Sequence, residues 1–218
     1  MIGLCLSKES RGQTQKARGF FYVTKWGDAK EYCKKIFCEG QAMNIVLIGY
    51  RCCGKSVVSE ALAAKLCRKR VDTDKLIENL TRQPVGKLVS LHGWNYFRRI
   101  EKSIIKKVSA MDGLIISTGG GVVMDAENVE YLRKNNNRLV WLSCAPEILA
   151  KRMENDRESG RLRPSLTGKD PILEIKEVLE LRKPYYAKAA DYILDTGSLS
   201  IKEVADLILD VLPLEGER

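Results

Sequence analysis

The sequence predicts a three-layer α/β/α domain on a five-stranded parallel sheet, and three observations carry that prediction. Short apolar runs alternate with helix-period stretches from residue 43 to about 212. The first apolar run leads directly into Gly49-Tyr-Arg-Cys-Cys-Gly54-Lys55-Ser56, a glycine-bounded turn that opens a helix. Residues able to carry chemistry then collect at strand ends, where ligands gather in parallel sheets: Asp72 and Asp74 after the second strand, and Gly119, Gly120 and Gly121 after the third.

Taken in order, residues 1–42 stand apart. They hold eight Lys or Arg against four Asp or Glu, with aromatics at Phe20, Phe21, Tyr22, Trp26, Tyr32 and Phe37. Too short to bury a core alone, they read as a basic N-terminal extension of unknown role. The first strand spans 44–48, and its helix has apolar positions at Val57, Val58, Ala61, Leu62 and Leu66. In the turn between them Gly49 and Gly54 allow close wrapping, so backbone N–H groups and the helix dipole face one anion. Gly49, Tyr50, Arg51, Cys52, Cys53, Gly54, Lys55, Ser56 and Val57 are therefore the expected nucleotide-phosphate contacts, with Lys55 reaching the phosphates and Ser56 the Mg²⁺.

The second strand, 70–74, ends in two acids, and the period of two puts Asp72 and Asp74 on one face. Short helical pieces follow at 75–80 and 85–91, broken at Pro84, and an apolar stripe marks a helix over 94–110. The third strand covers 113–117. Helix 126–134 and an Asn135-Asn136-Asn137 turn lead to strand 139–143, and Pro146 opens the next helix, through 154. Residues 155–170, polar, Arg-rich and aperiodic, read as a mobile loop. A helix over 171–189, a strand over 192–194, a helix over 201–212 and a tail from 213 to 218 complete the chain.

Composition narrows the function. No apolar run approaches the roughly 18 residues of a membrane span, and the first residues make a poor signal peptide. Seven cysteines without a C-x-x-C pair give neither a disulfide framework nor a zinc site, and free thiols fit a reducing cytoplasm. Cys52 and Cys53, at a helix N-terminus beside Lys55, are expected to react as thiolates. His92 is the only histidine, so histidine-based catalysis would rest on it alone. The net charge of +9 is interleaved with acids and aromatic content is 7%, so nucleic-acid binding is not expected.

The motifs, in order, resemble the shikimate kinase family over nearly four-fifths of the chain. Beyond the phosphate loop, the family's D-x-D stands as Asp72-Thr-Asp74 and its F-R-x-x-E as Phe97-Arg98-Arg99-Ile100-Glu101. Its G-G-G is Gly119, Gly120 and Gly121, its lid R-P-x-L is Arg163-Pro164-Ser165-Leu166, and its R-x-P-Y is Arg182-Lys183-Pro184-Tyr185. The resemblance implies a P-loop NTPase fold, nucleoside-monophosphate-kinase-like, over residues 43–212 with a lid at about 155–170. It implies a cytoplasmic, monomeric enzyme using ATP, Mg²⁺ and shikimate. Arg98 and Arg182 would clamp the shikimate carboxylate, Gly119, Gly120 and Gly121 would line its ring, and Asp74 would bind the attacking hydroxyl. Asp72, with Ser56, would serve the hydrated Mg²⁺, and Arg163, with Lys55, would neutralise the transferred group. Arg152 or Arg157 would lie against adenine. The chain departs from the family pattern where Cys52 replaces the usual glycine, in Ser165 of the lid, and in residues 1–42. Two other functions share the phosphate loop: a gluconate- or nucleotide-kinase-like enzyme, and a non-catalytic nucleotide-binding module.

Overall fold

The computed structural model describes residues 43–158, 167–170 and 172–212. Its strands are β1 (Ile45–Ile48), β2 (Arg70–Asp72), β3 (Ile115–Ser117), β4 (Arg138–Ser143) and β5 (Tyr192–Asp195). All pair in parallel in the order β2-β3-β1-β4-β5. The central strand β1 is buried at every position, as a continuous Ile-Val-Leu-Ile run requires when helices cover both faces. At the edge, β5 alternates half-buried and exposed residues. The chain runs from β1 to the β2 edge, returns through β3, and crosses to β4. Its direction thus switches at β1, and the crevice beyond β1 is the ligand position of such sheets.

The helices are α1 (Lys55–Leu66), α2 (Thr73–Thr81), α3 (Val85–Val108), α4 (Ala126–Arg133), α5 (Pro146–Glu158), α6 (Ile175–Ala189) and α7 (Ile201–Val211). Helix α1 packs on α7, while α3 packs on α2 and α4. The expectations for Asp74 and for the bounds of α5 and α6 are corrected. Asp74 lies in the first turn of α2 rather than on a strand, because the Asp72 carboxylate caps that helix by accepting from the Lys75 backbone N–H (3.2 Å). The separate pieces expected at 85–91 and 94–110 hold: α3 is two helical segments that meet at Gly93, whose backbone is non-helical (φ 78°, ψ 168°). Residues 155–158 belong to α5 rather than to the loop, and α6 begins at Ile175 rather than at 171.

The start of the domain is wired into the sheet by Asn44, which is fully buried. Its backbone N–H donates to the Asn137 Oδ1 (3.1 Å), its Oδ1 accepts from the Leu114 N–H (2.7 Å), and its Nδ2 donates to the Met111 carbonyl. Among the described residues no helix is long and apolar enough to cross a membrane. Cys52, Cys53 and Cys144 are free thiols. Cys67 is disulfide-bonded, which departs from the all-thiol expectation.

Candidate active site

The turn after β1 forms a cradle. Gly49 (φ 140°) and Gly54 (φ 101°) take left-handed conformations, and so does Cys52 (φ 63°). A Cβ on Gly49 would sit 2.6 Å from the Leu142 carbonyl oxygen, so only glycine passes under β4 here. The Lys55 ammonium is folded into the cradle, donating to the carbonyls of Gly49 (2.8 Å) and Tyr50 (2.7 Å). A cavity of about 480 Å³ opens over this turn and extends past Arg152, Asn155, Asp156, Thr196 and Leu199. Arg152 donates to the Thr196 carbonyl (2.8 Å) and, at 3.4 Å, to that of Cys52, so it fastens the loop while lining the cavity. The Arg157 side chain and the whole of Arg163, Pro164, Ser165 and Leu166 lie outside the described residues.

A second cavity, about 420 Å³, lies beside the first and is lined by Trp94, Phe97, Arg98, Gly119, Gly121 and Arg182 among others. Arg51, Ser56, Asp72, Asp74 and Gly120 line both cavities, and so form their common border. There Ser56 donates to Asp72 at 3.4 Å, and the Arg70 guanidinium pairs with the same Asp72 oxygen at 3.4 Å. Asp74 has its Oδ1 buried without a hydrogen-bond partner. Burial, with Glu101 and Asp72 as like-charged neighbours, pushes its carboxyl up to about 6.

At the far wall the Arg98 guanidinium is held by Glu101 (2.5 Å), a carboxylate with no exposure to solvent. It stacks near Trp94 and Phe97 at about 5 Å, with centroid distances of 5.5 and 5.2 Å. Arg182, also buried, donates to the Gly120 carbonyl (3.2 Å), and the Tyr186 hydroxyl donates to the same oxygen. The three glycines are each confined. A Cβ at Gly119 would meet Asp74 Oδ1 (2.8 Å) and Glu101 Oε1 (2.9 Å), at Gly120 the Arg51 backbone nitrogen (3.3 Å), and at Gly121 the Arg98 guanidinium. Two arginines, three bare backbone units and an acid at the border suit a small polyhydroxylated carboxylate beside a nucleoside triphosphate.

Comparison with known proteins decides the family. The shikimate kinase family model matches residues 51–213. The chain belongs to the shikimate kinase family. A shikimate kinase of Caldanaerobacter subterraneus is 37% identical over 166 residues, covering 76% of this chain and 94% of that one. The Syntrophus aciditrophicus shikimate kinase is 37% identical over 179 residues, covering 78% and 91%. A solved shikimate kinase from Acinetobacter baumannii in complex with shikimate superposes with a TM-score of 0.73 at 29% identity, covering 82% of this chain and 96% of that one.

Of the expected site residues whose side chains are described, Gly49 and Tyr50 line neither cavity, and the rest line one or both. Sequence reading passed over several others. Tyr186 rather than Tyr185 of the R-x-P-Y run faces inward: Tyr186 is fully buried and Tyr185 is 44% exposed. Thr73, between the two acids, accepts from the Gly119 N–H (3.1 Å) and Thr118 donates to the Leu47 carbonyl (2.9 Å), tying β1, β2 and β3 together at the crevice. Glu101, the last residue of the F-R-x-x-E run, is completely buried and anchors Arg98. Glu174 had no sequence signal at all. His92 lies on α3 against Tyr96, ring centroids 4.7 Å apart, and lines neither cavity.

Proposed function

We propose that this enzyme transfers the γ-phosphoryl group of ATP to shikimate, giving shikimate 3-phosphate for aromatic amino-acid biosynthesis. The observation that carries this reading is the common border of the two cavities, where Asp74 faces both while Arg98 and Arg182 stand on the acceptor side. Arg98 and Arg182 bind the carboxylate, their forked donors fixing the ring in one orientation. Gly119, Gly120 and Gly121 let the ring approach the backbone. Asp74, half protonated near pH 6, accepts the hydroxyl proton when ionised and holds that oxygen in line. Lys55, which donates to two loop carbonyls, turns to the phosphates of bound ATP. Arg152 supports the adenine side and Arg163 serves the phosphoryl group from the lid.

The residues present fit a hard divalent cation. Ser56 and Asp72 meet at 3.4 Å on the border, and both are oxygen donors. Ser56 directly, and Asp72 through water, would hold Mg²⁺, which would neutralise phosphate charge. The thiols of Cys52, Cys53 and Cys144 support a cytoplasmic location, set against the disulfide at Cys67. The deciding experiment presents ATP and Mg²⁺ with shikimate, gluconate and nucleoside monophosphates in parallel. Shikimate is expected to exceed the others by at least about tenfold in kcat/KM, a gap of roughly 1.4 kcal/mol in transition-state binding. Equal turnover of gluconate would overturn the substrate, and ATP binding without any turnover would favour a non-catalytic module.

A further inference from the structure

The phosphate loop carries a cation besides Lys55. Arg51 lies on the border of both cavities, its side chain only 10% exposed, and its guanidinium pairs with Glu174, whose side chain is wholly buried. Glu174 also accepts from the Thr167 backbone N–H (2.8 Å) and hydroxyl (2.7 Å), so its carboxylate is held by bonds independent of Arg51. The Tyr50 ring lies under both Arg51 (5.5 Å) and Arg182 (5.9 Å). An ion pair this deeply buried rarely adds net stability over apolar packing. Its better explanation is what a pre-set guanidinium does at that border.

The reaction calls for such a group. The bond from the γ-phosphorus to the bridging oxygen of the nucleotide breaks, and a bond from phosphorus to the acceptor oxygen forms. The hydroxyl proton passes to the Asp74 carboxylate and ADP departs. A dianionic phosphate has then arrived on the acceptor side, next to Asp72, Asp74 and Glu101, while Arg98 and Arg182 are occupied with the carboxylate. We propose that Arg51, positioned by Glu174, contacts the phosphoryl group as it crosses and then holds the phosphate of the product. Arg51 is thus the phosphate-recognising residue of the acceptor cavity, and Glu174 its positioning residue. This rests on the shikimate reading above.

Calorimetric titration of the full chain with shikimate and with shikimate 3-phosphate tests the assignment. Arg51→Met should weaken the phosphorylated ligand by about 30-fold or more and shikimate by less than about threefold, as expected when one charge-assisted phosphate contact is lost. Glu174→Gln should show the same selectivity at about five- to tenfold, and the double variant should be no weaker than Arg51→Met within about twofold. Arg51→Lys should recover part of the loss. If Glu174→Gln does not fold, Glu174→Asp, with the charge kept and the reach shortened, should show the smaller selective loss. Equal weakening of both ligands, or additive effects in the double variant, would overturn the assignment. Failure of the wild-type chain to bind either ligand would instead overturn the shikimate reading itself.

Discussion

Asp74 shows how much one side chain's surroundings decide. Its Oδ1 is buried without a partner, and Glu101 and Asp72 add like charge, so its carboxyl titrates near 6. A folded pKa above the unfolded value means stability is lost as pH rises from about 4 through about 6, since the folded state prefers the protonated form. Asp74→Asn should therefore stabilise the Mg²⁺-free protein by roughly 1–3 kcal/mol at pH 7.5, an advantage that fades below about pH 4. Urea denaturation at both pH values measures it. The same substitution should lower kcat by about two orders of magnitude with ATP binding within a few-fold, as when a positioned base is lost. Near-normal kcat would mean that other residues position the acceptor. A second residue, Cys52, holds φ at 63° where an L-residue is strained by roughly 1–2 kcal/mol. Cys52→Gly relieves that strain but costs roughly 0.5–1 kcal/mol of chain entropy and the thiol's contact with Asp156, so a net gain of about 0.5 kcal/mol is expected. A lower denaturation midpoint would show that the thiol contact outweighs the strain. The other loop thiol, Cys53, is buried, so alkylation protected by ATP should fall on Cys52, a matter for peptide mapping.

At the scale of elements, the kink in α3 aims the acceptor wall. Gly93 takes φ 78° and ψ 168°, a region open almost only to glycine, and the chain then resumes as helix to bring Trp94, Phe97 and Arg98 to the cavity. Gly93→Ala meets no atom within 4 Å, so its cost is backbone strain alone, about 1–3 kcal/mol. The helix is expected to escape that strain by straightening, which would raise the KM for shikimate while leaving that for ATP within about twofold. An unchanged KM for both would show that the kink does not aim Arg98. The break itself is legible in the sequence, where a helical piece at 85–91 and an apolar stripe over 94–110 leave His92-Gly93 between them. The Asp72-Thr-Asp74 run, by contrast, misleads. Val71 and Asp72 are strand, yet the capping preference of Asp72 turns the chain into α2 two residues earlier than the expected strand end at 74. The strands, the phosphate loop and the glycine run were legible because each rests on local backbone chemistry. The buried anchors Glu174 and Tyr186 were not, nor was the burial of Glu101, because burial is a property of the assembled layers.

For the whole molecule, the question is where the folded unit begins. We propose the boundary at residue 43, where the anchoring of the sheet's first strand begins. The Met43 side chain is buried and its carbonyl accepts from Arg68 (3.0 Å). Asn44 then fastens β1 to the segments entering β3 and β4. From this point every strand has its partner, and both cavities are lined by residues of 51–204. Asn44→Ala would strand the Leu114 N–H and the Met111 carbonyl in the interior, and a loss of about 2–4 kcal/mol is expected in denaturant unfolding. A chain beginning at Met43 should by contrast unfold cooperatively and keep more than about half of its kcat/KM for shikimate. Thermal unfolding followed by circular dichroism, with steady-state rates on the same sample, makes the comparison. If the shortened chain is insoluble, or melts more than about 8 °C below the full chain, a change worth at least about 2 kcal/mol for a domain this size, then residues 1–42 contribute to the folded core and the boundary is misplaced.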